Sequence, residues 1–186
     1  MGRLFESFDE AWAHFLARDE PLEDFFAGFP AEEFEGEAWV IEPAAEVRAA
    51  AAELQGPLAQ FDWLKPVPGH FLHVALPGAP SKAAAPELEY RRVTCFHVAV
   101  VVEVDAPALK RQFPDKTFLP HLTLAVTTRP ADPHELREVL RPLREAYVGQ
   151  QKVTEALHVS FPFSRERLFE PWTVRERFAL PAKPTR

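Results

Sequence analysis

Thr117-Phe118-Leu119-Pro120-His121-Leu122-Thr123-Leu124-Ala125-Val126 reads as a short strand, entered through a proline and left through Thr127-Thr128-Arg129-Pro130. Side chains alternate across a strand, so His121 and Thr123 share one face while Leu122 and Leu124 take the other. An imidazole and a hydroxyl two residues apart can address the same small anionic group. Earlier in the chain, Phe71-Leu72-His73-Val74-Ala75-Leu76 repeats the form, with His73 and Ala75 on one face and Val74 and Leu76 on the other. Two strands that each offer one inward His can supply a general base and a general acid to a single reacting group.

The totals bound the reading. The chain has 186 residues, 47% of them hydrophobic, enough for one well-buried domain, or one domain with an appendage. No run of eighteen apolar residues exists, so no membrane-spanning helix is expected. The first residues, Met1-Gly2-Arg3-Leu4-Phe5-Glu6, lack an apolar signal core, and the expected location is the cytoplasm. Cys95 is the single cysteine, set in an apolar run; this excludes an internal disulfide and reads as a buried, inert thiol. The net charge of -7 conceals an asymmetry, for residues 1–55 carry 14 acids against 3 bases and the remainder 14 against 18. The part with both His strands is mildly basic, as an anionic ligand prefers, yet too weakly so for stable duplex DNA binding. A small phosphate ester or the end of an RNA fits that balance better.

Along the chain, Ser7 caps a first helix whose Phe8, Trp12, Phe15 and Leu16 form one face, and Pro21 opens a second short helix ending near Gly28. This acidic helical hairpin, residues 1–36, reads as an extension that covers one side of the core; a partner-binding role is the other reading. Residues 37–186 form the main domain. Trp39-Val40-Ile41 is a strand candidate, Glu46 to Leu54 an Ala-rich helix, and Pro77 to Pro86 a loop. Tyr90–Phe96 and His97–Val104 are either one long or bulged strand or a tight pair. Ala106 to Phe113 allows a short helix. A helix is expected from Asp132-Pro133 to about Tyr147, then strands over Val153–Phe161 and Trp172–Leu180. Six or seven strands interspersed with four helices make an α+β sheet domain. There is no glycine-rich phosphate loop, Cys–His zinc spacing or nucleophile elbow.

Pro120-His121-Leu122-Thr123-Leu124-Ala125 and the approach Trp63-Leu64-Lys65-Pro66-Val67-Pro68-Gly69-His70-Phe71-Leu72-His73-Val74-Ala75-Leu76 together resemble the two-histidine (2H) phosphoesterase superfamily. That group includes the RNA 2′,3′-cyclic phosphodiesterases often labelled 2′-5′ RNA ligases. Its pattern is a pair of His-x-Thr/Ser motifs on central strands. The late strand with Leu157-His158-Val159 and the last, ending Arg177-Phe178-Ala179-Leu180, fit as well, so the resemblance spans roughly residues 38 to 181. It implies a two-lobed antiparallel sheet with helices packed outside. It also implies metal-independent, cofactor-free hydrolysis of a 2′,3′-cyclic phosphate on a nucleotide or RNA end. His73 and His121 would be the catalytic acid/base pair, and Thr123 would bind the substrate by donating to a non-bridging oxygen.

Three departures mark this chain. Ala75 stands where the family carries Thr or Ser, only 48 positions separate His73 from His121, and Val126 sits where many relatives have a basic residue. Arg129 is a candidate substitute for that base, and a water or His70 for the missing hydroxyl. The Ala75 departure keeps open a second function: a catalytically degenerate member that binds a nucleotide or RNA end without turnover. His97-Val98-Ala99 and His158-Val159-Ser160 have the same local form, and by pattern alone His158-Val159-Ser160 matches His-x-Ser better than His73 does; His73 is preferred for its Trp and proline approach and because His158 falls on a late strand. His70 and His73, three apart, are expected on opposite faces of an extended segment and so do not read as a metal pair. His14 and His134, in helical segments, are expected to be solvated.

Overall fold

The computed structural model describes residues 4–81 and 85–180 of the chain. Among these described residues four α-helices, α1 Phe8–Ala17, α2 Ala45–Gln55, α3 Pro107–Gln112 and α4 His134–Leu140, accompany nine strands. The strands make one antiparallel sheet: β1 Phe34–Ile41, β2 Leu64–Pro66, β3 Val74–Leu76, β4 Glu87–Cys95, β5 Ala99–Asp105, β6 His121–Thr127, β7 Tyr147–Lys152, β8 Glu155–Phe163 and β9 Thr173–Ala179. Their order is β7-β4-β5-β6-β3-β1-β8-β9, with β2 also paired to β6. The sheet is therefore two lobes of four strands with β2 added on β6 of the first, and the inner strand of each lobe is the one that follows or begins with a predicted histidine. The lobes meet through β3 and β6, paired at Val74↔Leu122.

The α+β class and the antiparallel sheet agree with the sequence reading; several local expectations do not. The first His strand is shorter than Phe71–Leu76, because Pro68 leads into a 3-10 turn at Gly69–Phe71 and pairing starts at Val74. His73 thus stands just outside β3. The second helix of the hairpin is a four-residue 3-10 turn, Phe25–Gly28, capped by the Asp24 carboxylate accepting from the Phe26 amide at 3.0 Å. Leu22 instead pairs with Ala131 as an isolated bridge, which commits its backbone outside any helix. The helix expected to reach Tyr147 ends at Leu140 and tightens to a 3-10 turn at Arg141–Leu143, where Pro142 has no N–H to continue the ladder. Tyr147 then opens the edge strand β7, whose only buried side chain is Val148, too little alternation to be seen in sequence. The ambiguous run from Tyr90 resolves as a tight pair, β4 and β5, with the bulge in β4 at Arg92, which adopts a φ of 65°. The loop expected over 77–86 is non-regular at 77–81; residues 82–84 lie outside the described residues.

The main core forms where α2 and α4 bury Val47, Ala51, Leu136 and Leu140 with Val74, Leu122 and Leu124. Gln55, at the end of α2, donates its amide to the carbonyls of Val67 (2.7 Å) and Leu124 (2.8 Å), tying the helix to the approach to β3 and to β6. Val74 and Leu122 are wholly buried. Replacing Leu122 by Ala removes the contact that presses the two lobes together and should lower unfolding free energy by about 2–5 kcal/mol. Denaturant melts measure this; a loss below about 1 kcal/mol would show that the junction relaxes freely.

Candidate functional site

His121 is the first residue of β6, and the proline before it sets its approach: the Val104 amide donates to the Pro120 carbonyl at 3.0 Å, seating that turn on β5. His73 occupies the matching position ahead of β3. Each imidazole is held through Nδ1 by the carbonyl two residues earlier, His121 by Leu119 (2.6 Å) and His73 by Phe71 (2.7 Å). A carbonyl only accepts, so Nδ1 carries the proton in both rings and Nε2 is left to exchange one. The two motifs repeat the same lock.

The register explains how they come together. With Val74 opposite Leu122, an antiparallel ladder extended by one residue puts His73 opposite Thr123 and Ala75 opposite His121. All four side chains share one face, while Val74, Leu76, Leu122 and Leu124 fill the core on the other. Aromatic edges flank the imidazoles: Phe96 lies perpendicular to His121 at 5.1 Å, and Trp172 and Phe71 meet His73 at 5.6 and 5.5 Å. Burial among these rings lowers both pKa values below the usual 6.5; for His73 the nearby His121 lowers it further, and in each case the carbonyl partner opposes the shift. At neutral pH both rings are therefore neutral in the free protein. An anion between them would favour proton uptake by one, giving a base and an acid on the same face.

The remaining candidates fall elsewhere. His158 pairs in register with Trp39, which pairs with Leu76, so it lies on the face opposite His73, stacked on Trp39 at 5.1 Å and 3.6 Å from Glu37. His97 stacks on Phe5 at 5.0 Å and its Nδ1 sits 2.6 Å from the Arg18 guanidinium. His14, expected in solvent, instead packs its ring 5.4 Å from Phe5 and 5.2 Å from His97, because the chain ahead of α1 folds back over it; His134 is exposed. His70 Nε2 is bonded to the Phe169 carbonyl at 2.9 Å, which commits it to that loop and not to the place of the missing hydroxyl. Val126 is buried, and Arg129 pairs with Asp62 at 2.6 Å, so Arg129 does not stand in for a basic residue at the site. Among the described residues no group of three or more His, Cys, Asp or Glu is placed to hold a metal ion. No described helix is long and apolar enough to cross a membrane.

Sequence reasoning missed three features. The backbone locks on the two imidazoles depend on turns it misassigned in part. The Phe96 and Trp172 flanks come from distant strands and loops. Finally, His121 and Ala75 open onto a cleft of about 640 Å³, much of it built by the N-terminal segment. The adjacent aromatic runs were legible, but which of them meet was not.

The fold has solved counterparts. TT0787 of Thermus thermophilus superposes with a TM-score of 0.54 at 19% identity, covering 79% of this chain and 98% of that one. LigT of E. coli, complexed with 3′-AMP, gives 0.51 at 17% identity, covering 87% and 98%, and its complex with phosphate gives 0.52 at 18% over the same shares. No protein-family model matches the chain, and no curated protein matches its sequence. The chain thus shares the fold of TT0787 and LigT.

The depressed pKa values have a sign that can be checked. An imidazole that is harder to protonate when folded lets the unfolded chain take protons first, so both groups reduce stability as pH falls below 6.5 and cost nothing above it. Long-range nitrogen–proton NMR should show both rings as Nδ1–H tautomers above that pH, each titrating below it. A ring titrating at or above 6.5 would contradict the effect of burial, and an Nε2–H tautomer would contradict the lock.

Proposed function

We propose that the protein is a metal-independent phosphodiesterase that opens a 2′,3′-cyclic phosphate. The observation that carries this reading is the repeated Nδ1 lock on His73 and His121, which leaves two Nε2 atoms for proton transfer on one face of the lobe junction. The fold shared with LigT, which has been solved with 3′-AMP and with phosphate, supports a nucleotide phosphate as ligand. One neutral imidazole accepts a proton from water at Nε2 while the water oxygen bonds to phosphorus. The phosphorus bond to one ribose oxygen breaks, and the second, protonated imidazole gives its Nε2 proton to that oxygen. The product is a 2′- or 3′-monoester. The reaction needs positioning and charge stabilisation above all, and Thr123 supplies a hydroxyl donor for a non-bridging oxygen.

Phosphorus NMR of the protein with a 2′,3′-cyclic nucleotide tests this directly. A monoester resonance should grow in, and His121→Ala should slow it by about 10²–10⁴-fold with the fold retained; turnover unaffected by that change would refute the assignment. Because the acid must hold its proton and both imidazoles titrate below 6.5, kcat/KM should be bell-shaped with its maximum on the acid side of neutrality. A maximum above pH 8 would point to other groups.

One observation favours a second reading. Ala75, which the register puts opposite His121, offers a methyl where a hydroxyl would complete the motif. Loss of an oxyanion donor costs about 2.7–4 kcal/mol elsewhere, enough to turn an enzyme into a nucleotide-binding protein. Binding of the cyclic nucleotide without conversion, together with turnover created by Ala75→Thr, would establish that reading.

A further inference from the structure

We infer that the N-terminal segment makes this site selective for a mononucleotide-sized cyclic phosphate, whose flat base enters an apolar cleft beside His121, and closes it to an RNA chain. The inference rests on the function proposed above and adds the substrate class.

The cleft of about 640 Å³ is of the size that takes a small ligand. His121 and Ala75 form one side of it, and the rings of Phe5, Phe25, Phe29 and Phe118 line much of the rest. Phe29 is 41% exposed and Leu4 68%, so apolar surface faces solvent next to a polar site. An aromatic base has two π-faces and suits such walls whatever its hydrogen-bonding edge. Ala75 belongs to the same logic, for its methyl continues the apolar wall up to His121.

The charges argue against a longer chain. The described residues that line the cleft include no lysine or arginine; Glu23 and Asp24 carry the formal charges, with Arg18 3.7 Å from Glu23 and Arg165 2.6 Å from Asp24. A wall with no lining cation gives nothing to the phosphates that follow in an RNA. On the other flank, Glu103 is opposite His121 in register and so shares its face. Glu103 is buried against Arg144, accepts from the Thr94 hydroxyl at 2.5 Å, and has Arg92 at 3.7 Å. Asp9 of α1 reaches the same two arginines, Arg92 at 2.6 Å and Arg144 at 3.2 Å. Arginines that could have met a polyanion are thus occupied by carboxylates, and α1 lies over that part of the sheet. The segment is fastened at several points: the Leu22 amide donates to the Ala131 carbonyl (2.8 Å), the Glu23 amide to the His97 carbonyl (3.0 Å) and the Thr127 hydroxyl to the Glu23 carbonyl (2.5 Å). It is a wall of the cleft.

The test compares kcat/KM of the full chain for adenosine 2′,3′-cyclic phosphate, for a hexaribonucleotide ending in that group, and for glycerol 1,2-cyclic phosphate, which has no base. The mononucleotide should exceed both others by on the order of tenfold or more. Phe29→Ser should cut its advantage over the glycerol ester by on the order of tenfold, a ratio that general loss of folded protein would not move. Equal or faster turnover of the hexamer, or a ratio unchanged in Phe29→Ser, would overturn the inference and leave the phosphodiesterase standing. If no ester is turned over, the proposed activity fails and calorimetry decides the selectivity: tighter, Phe29-dependent binding of the mononucleotide sustains it, and equal binding of the hexamer overturns it.

Discussion

The junction of β3 with β6 is the contact on which the rest of the molecule depends. It is a short piece of ladder, centred on Val74 and Leu122, and both residues are wholly buried. Their burial against the helical layer decides which face of each strand points away from the core. Because side chains alternate with a period of two, a slip of one residue in either strand would turn its histidine or its neighbour into the core. The hydrophobic demand of Val74, Leu76, Leu122 and Leu124 therefore selects the register that sets His73, Ala75, His121 and Thr123 side by side. Gln55 reinforces it, bonding two carbonyls on either side of the approach to β3.

The chemistry of the site then follows from backbone geometry. Each histidine follows a segment that presents a carbonyl two residues earlier, a 3-10 turn for His73 and a non-regular stretch for His121, and that carbonyl determines which nitrogen holds the proton. Aromatic rings from the β8–β9 connection and from the β4–β5 turn crowd the imidazoles and reduce their solvation, which makes their cationic forms harder to reach. In the function proposed above, such a site would bind an anion partly through the proton it induces one ring to take. Substituting a methyl for a hydroxyl at Ala75 removes one donor and leaves this arrangement of nitrogens in place.

The acidic N-terminal segment shapes the surface beside the site. Asp9 answers Arg92 of β4 and Arg144 of the turn before β7, Leu22 and Glu23 bond to the backbone at Ala131 and His97, and Phe5, Phe25 and Phe29 add an aromatic wall. The acidic surplus of residues 1–55 is in part a counter-charge to arginines later in the chain. A composition count could register the imbalance; it could not pair Asp9 with Arg92 or Asp24 with Arg165.

Sequence alone determined the α+β class, a strand around His121, the shared face of His121 and Thr123, and the resemblance whose fold the solved counterparts share; it started that strand at Thr117, four residues before pairing begins at His121. These are local: alternation, a proline at an entry and residues two apart need no knowledge of the remaining chain. It did not determine where pairing near His73 starts, because a 3-10 turn and an extended segment carry the same apolar residues. It also missed β7 and overran α4, since an edge strand with one buried side chain has no readable period and the cost of Pro142 depends on how the residues after it are paired. Only the tertiary structure decided that His158 faces away from His73, that His70 serves Phe169 and Arg129 serves Asp62, and that the N-terminal segment walls a cleft beside His121. Each of those outcomes is a contact between residues tens of positions apart, selected by burial and register across the sheet, and no window of sequence contains both partners.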